Sequence, residues 1–119
     1  MIQHVAIEVR ERDSEACVAF WRLVGFERVD PPAALAARAA WVQSASTQVH
    51  LLFADDPVVP VVGHVAVVVD DYEGTLAALR DAGFEPEPRT AHWGARRAFV
   101  RCPAGHRVEL MAFGPDAAG

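Results

Sequence analysis

The chain has 119 residues, 52% hydrophobic and 23% charged, an ordinary globular composition able to bury the core of one domain or of two small modules. The net charge of −5 gives no global basic signature for nucleic acid. The longest apolar run, 58–69, is interrupted by Pro60, Gly63 and His64 and falls short of the roughly 18 residues a membrane-spanning helix needs.

In chain order, residues 2–9 alternate and are rich in β-branched side chains, which predicts a strand with Val5, Ile7 and Val9 packed under a helix. Asp13 or Ser14 is placed to cap a helix over 14–24, where Cys17, Phe20, Leu23 and Val24 recur at helical spacing and Gly25 stands at the C-terminal cap. A short strand over 26–29, a Pro- and Ala-rich loop, and a hairpin of 38–44 with 47–53 turning at Ala45-Ser46 complete the first half. Residues 54–62 carry two acids and two prolines and read as a linker. The plan then recurs: a strand over 63–69, a helix over 72–82 capped by Asp70-Asp71 and ended by Gly83, an edge strand over 84–89 broken by prolines, and a hairpin of 95–101 with 107–113. The expected organisation is a single domain, 1–119, with module 1 at about 1–53, the linker, module 2 at about 63–113 and a frayed tail at 114–119.

The repeat is visible residue by residue. His4-Val5-Ala6 answers His64-Val65-Ala66, Gly25-Phe26-Glu27 answers Gly83-Phe84-Glu85, and His50-Leu51 answers Glu109-Leu110. Each half is β-α-β-β-β, and one such half leaves a sheet face uncovered, so two must share a sheet or pair. The fold expected is α+β: two tandem βαβββ modules forming a curved mixed-sheet cup with helices outside.

Four polar residues occupy repeat-equivalent places among apolar neighbours: His4 and His64 on the two first strands, His50 and Glu109 on the two last. A lone histidine in an apolar strand is more often a core residue than a ligand. Four such groups able to face one side of a shared sheet make a first coordination shell for a divalent first-row metal. Burying Glu109 unpaired would cost several kcal/mol, roughly, so it needs a metal or an arginine beside it.

These features resemble the vicinal oxygen chelate superfamily, which includes glyoxalase I, fosfomycin-resistance thiol transferases, extradiol dioxygenases and bleomycin-resistance proteins. The resemblance runs over 2–113 and is carried by Gln3-His4-Val5-Ala6, Phe20-Trp21-Arg22-Leu23-Val24-Gly25-Phe26, the segment 63–70 and the segment 98–110. It implies a divalent metal (Zn, Ni, Mn, Fe or Co) at His4, His50, His64 and Glu109, chelating neighbouring oxygens of a small substrate and stabilising an enolate or oxyanion. Glyoxalase I usually has a carboxylate where His50 stands, which weakens that particular activity; the three positions used by the fosfomycin enzymes are intact, without their potassium loop. His50 and Glu109 are the expected catalytic residues. His50 is expected to ligate the metal, because its repeat mate Glu109 is a family ligand, with a role as general base or acid as the alternative.

Trp41 and Phe99, repeat-equivalent strand aromatics, and Trp93 in the His92-Trp93-Gly94 loop are expected substrate-lining residues, with a core or exposed-loop role as the rival. Of the cluster Arg96, Arg97 and Arg101, Arg97 is the expected substrate contact; a solvated strand face is the rival. His106, in a turn, is expected to be exposed. Three functions follow: a metal-dependent lyase, isomerase or thiol transferase; a metal-free drug-binding protein of the bleomycin-resistance kind; or a one-domain iron ring-cleaving dioxygenase. The partners expected are a small-molecule substrate and a second copy in a homodimer, with neither nucleic acid nor membrane. Two isolated cysteines, Cys17 and Cys102, and an N-terminus without a signal-peptide pattern predict reduced thiols and a cytoplasmic location.

Overall fold

The computed structural model describes residues 1–116; residues 117–119, the end of the tail expected at 114–119, lie outside the described residues. The chain divides into two compact units, Met1–Val59 and Pro60–Gly119. The first holds β1 (His4–Val9), α1 (Ser14–Leu23), β2 (Glu27–Val29), β3 (Ala39–Ser44) and β4 (Thr47–Phe53). The second holds β5 (Val65–Val68), α2 (Tyr72–Asp81), β6 (Glu87–Arg89), β7 (Arg97–Arg101) and β8 (Arg107–Met111). Each forms a four-stranded mixed sheet, ordered β1-β4-β3-β2 and β5-β8-β7-β6, in which the first strand lies parallel to the last and the remaining pairs are antiparallel. The architecture is therefore α+β with two tandem βαβββ modules.

The helices end alike for the same physical reason. Phe26 N–H bonds Trp21 O at 2.9 Å and Gly25 N–H bonds Arg22 O at 3.1 Å; Phe84 and Gly83 repeat the pattern on Leu79 O and Arg80 O at 2.9 and 3.0 Å. This double closure needs a left-handed residue, and Gly25 and Gly83 supply it at φ of +101° and +94°. At the N-terminal ends the modules differ. The Asp71 side chain accepts from Gly74 N–H at 3.0 Å, whereas Asp13 holds the cap position of α1 without a side-chain bond.

Strand parity sets which side chains meet the helix. Val5, Ile7 and Val9 are more buried than His4 and Ala6, and Val65, Val67 and Val69 more than Ala66 and Val68. In module 1 the core gathers Cys17, Val18, Phe20 and Trp21 of α1 with Val9, Val42, Val49 and Leu51 of the sheet; in module 2 it gathers Leu76 and Leu79 of α2 with Ala98, Val100, Val108 and Leu110. The even positions of β1 and β4, and the equivalent set in module 2, are left on the opposite sheet face.

Several expected bounds contract. Pairing of β5 begins at Val65 opposite Val108, so Gly63 and His64 precede the strand rather than open it. β6 keeps only the three residues that pair with β7, Pro88 being tolerated because the strand is an edge. Short 3-10 turns at Glu11–Asp13 and Ala33–Leu35 interrupt segments read as loop. His106 is buried, at 6% exposure, against the expectation of an exposed turn: Cys102 N–H bonds His106 O at 2.9 Å and folds the turn onto the sheet.

Candidate functional site

On the helix-free face of module 1, His50 of β4 lies opposite Trp41 of β3 and Ala6 of β1. Its ring is sandwiched: Trp41 stacks on it with centroids 3.9 Å apart and planes within 1°, and His4 stacks on the other side at 4.0 Å and 15°. The stack leaves His50 only 7% exposed although it faces away from the core. Burial, and then the nearby His4, hold the His50 imidazole below the usual histidine range, so it is neutral near pH 7.

The hydrogen bonds around His50 run in one direction. A backbone carbonyl can only accept, so Gln43 Nε2 donates to Ala45 O at 2.9 Å and presents its oxygen inward. Gln48 Nε2 donates to that oxygen at 2.8 Å, which turns Gln48 Oε1 toward His50 Nε2 at 2.8 Å. His50 therefore carries its proton on Nε2 and leaves Nδ1 as the free acceptor. His4 has the other tautomer: its Nδ1 meets Gln3 Oε1 at 2.7 Å, leaving Nε2 free. Gln48 and His50 stand two residues apart on the same face of β4, which brings their side chains together.

Module 2 fills the same places with charge. Glu109 of β8 lies opposite Ala66 and Phe99, as His50 lies opposite Ala6 and Trp41. It is 6% exposed, and each carboxylate oxygen has a partner: His64 Nε2 at 3.1 Å and Arg97 Nη1 at 3.2 Å. Arg97 also donates through Nε to Thr90 O at 2.7 Å, so it is the member of its cluster that faces the site, while Arg96 pairs with Glu73. The His64 ring meets the Phe99 ring edge-on at 4.9 Å. Trp93 donates from Nε1 to Phe113 O at 2.8 Å, and the Arg97 guanidinium lies 5.9 Å from its ring, so the loop tryptophan is anchored beside the site residues of its own module.

The contact between His64 and Glu109 fits a cation. His64 Nδ1 lies 2.9 Å from Val62 O, which only accepts, so the first imidazole proton is on Nδ1. Nε2 then faces a carboxylate oxygen across 3.1 Å, acceptor to acceptor, unless a second proton or a cation stands there. Ligand atoms about 2.0–2.2 Å from one ion lie at about this mutual separation, and an Nδ1–H bond to a backbone carbonyl is the usual support of a histidine ligand. The residue types suit Zn, Ni, Mn, Fe or Co alike. Among the described residues no group of three or more His, Cys, Asp or Glu gathers around one point; the structure brings together His4 with His50, and His64 with Glu109.

Sequence reading missed the wiring through Gln43 and the pairing of Arg97 with Glu109. Both depend on hairpin register, and the spacing of Gln43 and Gln48 about the Ala45-Ser46 turn was the available signal.

The chain thus repeats a βαβββ module, with imidazoles in both and a carboxylate in the second. The sequence profile of the Glyoxalase/Bleomycin resistance protein/Dioxygenase superfamily matches residues 1–110, and the chain belongs to that superfamily. No curated protein matches the chain. Among solved structures it is similar to a glyoxalase family protein from Bacillus anthracis, at TM-score 0.84 and 24% identity, covering 93% of each chain. It is also similar to an antibiotic binding protein from a Streptomyces species (TM-score 0.70, 22% identity, 93% of each chain). A third is lactoylglutathione lyase from Agrobacterium tumefaciens (TM-score 0.68, 19% identity, 93% of this chain and 92% of that one). At these identities the likeness establishes the fold. No helix among the described residues is long and apolar enough to cross a membrane.

Proposed function

We propose that the protein is a small metal-dependent enzyme of the glyoxalase type, a lyase, isomerase or thiol transferase, acting on a substrate with two neighbouring oxygens. In this proposal the ion is held by His64 and Glu109 of module 2. The observation that carries this reading is the 3.1 Å contact of His64 Nε2 with Glu109 Oε1, with the Nδ1 proton already committed to Val62 O. A divalent ion bound there supplies Lewis-acid stabilisation of negative charge developing on the substrate oxygens.

His50 takes the proton-transfer role in this proposal, in place of the ligation that repeat symmetry suggested. The lone pair of a ring nitrogen lies in the ring plane. With His4 and His50 stacked at 4.0 Å and 15°, their free ring nitrogens do not converge on one point. His50 is neutral near pH 7 with a free Nδ1, as a general base must be, while Gln48 and Trp41 fix its orientation. Arg97 holds the Glu109 side chain in place.

A second reading, metal-free ligand binding, rests on that same Arg97, which already answers the Glu109 charge, with an imidazolium at His64 closing the network. Isothermal titration of chelator-treated protein with Zn, Ni and Mn separates the two. The enzyme reading expects stoichiometric binding that Glu109→Gln weakens by about 100-fold or more, since even the partners of metal ligands are worth 10–100-fold. No binding of any of the three ions supports the metal-free reading; bound iron with oxygen uptake moves the chain to the ring-cleaving class. We also propose a homodimer located in the cytoplasm. β1 and β5 each end their sheet, and Ile2, Leu52 and Val68 are exposed, leaving strand edges and apolar surface for a second copy. Light scattering at micromolar concentration tests the dimer, and a monomer contradicts it.

A further inference from the structure

Module 2 contains a cavity of about 520 Å³ lined by Gly83, Phe84, Glu85, Glu87, Arg89, Phe99, Val100, Arg101 and Arg107. It opens on the Phe99 ring, which His64 touches edge-on, so it borders the candidate metal ligands of this module. Its floor has an uncommon feature: Arg101 and Arg107 are direct cross-strand partners on β7 and β8. Like charges placed opposite each other weaken a sheet. In module 1 the equivalent pair is Gln43 and Gln48, which satisfy one another through a 2.8 Å hydrogen bond.

No carboxylate among the described residues answers these two cations. Arg101 donates to the Gly105 carbonyl at 2.9 Å, which leaves its charge uncompensated. Arg107 lies over the Phe99 ring, 4.2 Å from its centroid, and makes neither a hydrogen bond nor an ion pair among the described residues. The other charges of the pocket are accounted for differently. Arg89 pairs with Glu87 at 2.9 Å, and Glu85 is exposed. The Arg107 guanidinium, held 4.2 Å over the Phe99 ring, lines the cavity and brings to it a planar N–H edge that makes no hydrogen bond among the described residues. That edge matches a carboxylate in shape and charge.

We propose that this pocket is a carboxylate-recognition site, in which Arg107, backed by Arg101 and positioned by Phe99, binds the carboxylate end of a small organic acid. That the acid is the substrate of the adjoining site rests on the functional reading above; the anion site itself does not depend on a metal. The probe is benzoate, with benzamide as its uncharged isostere, titrated into chelator-treated wild-type protein, Arg107→Gln and Arg12→Gln, followed by amide NMR shifts. The expected result is one saturable site with shifts at Phe99 and along β7 and β8. Arg107→Gln should weaken it about tenfold or more, as loss of a charged hydrogen bond does, Arg12→Gln should leave it unchanged, and benzamide should bind at least tenfold more weakly. Benzoate binding that Arg107→Gln does not alter, equal binding of benzamide, or no saturable binding overturns the proposal. A dispersed amide spectrum of Arg107→Gln shows that the variant is folded. Benzoate binding without any metal binding would leave this site standing and remove the metal reading, whereas metal binding without benzoate binding would do the reverse.

Discussion

The two modules share one backbone plan and have opposite chemistry on the equivalent sheet face. Module 1 holds a neutral, internally wired set: Gln43 to Gln48 to His50, with His50 pressed between Trp41 and His4. Module 2 puts Arg101, Arg107, Glu109, Phe99 and His64 in the same places, and its charges do not cancel locally. Duplication thus fixes where side chains can meet, and substitution decides that one face carries a stacked, neutral imidazole while the other carries a carboxylate between an arginine and a histidine.

The comparison fails at its root if the two scaffolds are not energetically alike. Leu51 and Leu110 follow His50 and Glu109 in sequence and are each fully buried. Leu51→Ala and Leu110→Ala should each cost about 2–5 kcal/mol in denaturant unfolding. A cost below about 1 kcal/mol for either would show that its module is not packed as described.

The next effect is local. Gln48→Leu keeps the bulk of the side chain but removes the acceptor for His50 Nε2–H and the donor to Gln43. We expect a loss of about 1–2 kcal/mol in stability and, by imidazole NMR, loss of the single Nε2–H tautomer at His50. Arg107→Leu, at the position equivalent to Gln48, should leave the His50 signals unchanged; a change there would couple the two networks.

Acid separates the modules further. Because folding holds the His50 imidazole below its unfolded value of 6.5, the unfolded chain binds this proton more readily than the folded one. The contribution is therefore favourable above pH 6.5 and is lost as pH falls below it toward the depressed folded value. His50→Gln should flatten the stability–pH profile of the protein in that window; an unchanged slope would contradict the burial assigned to the ring.

The smallest effect lies at the hairpin turn of module 1. Ala45 has φ of 51°, a left-handed conformation that an L-residue with a Cβ adopts at a cost. Ala45→Gly should raise stability by up to about 1 kcal/mol while leaving Gln43 bonded to the Ala45 carbonyl position. A destabilisation would place the gain of chain entropy above the strain relieved.

Much of this was readable before any coordinates. The repeat located Gly25 and Gly83, whose conformation closes both helices, and strand parity separated Val5 and Val65 from His4 and His64. Element ends were less legible: the β5 ladder begins at Val65 opposite Val108, one residue inside the start of β8 at Arg107, and leaves His64 outside the strand. Side-chain wiring was the least legible. That Arg101 opposes Arg107, or that Gln43 sets the tautomer of His50, depends on register across two hairpins, and composition carries no record of register.

The central claim, that an ion belongs to the His64–Glu109 pair and not to His50, is tested most directly by imidazole nitrogen NMR during titration with one equivalent of zinc. The account predicts that the Nε2 signal of His64 moves to the metal-bound range while His50 keeps its proton on Nε2 and its chemical shifts. Ligation of His50 through Nδ1, or zinc uptake that leaves His64 untouched, would contradict it.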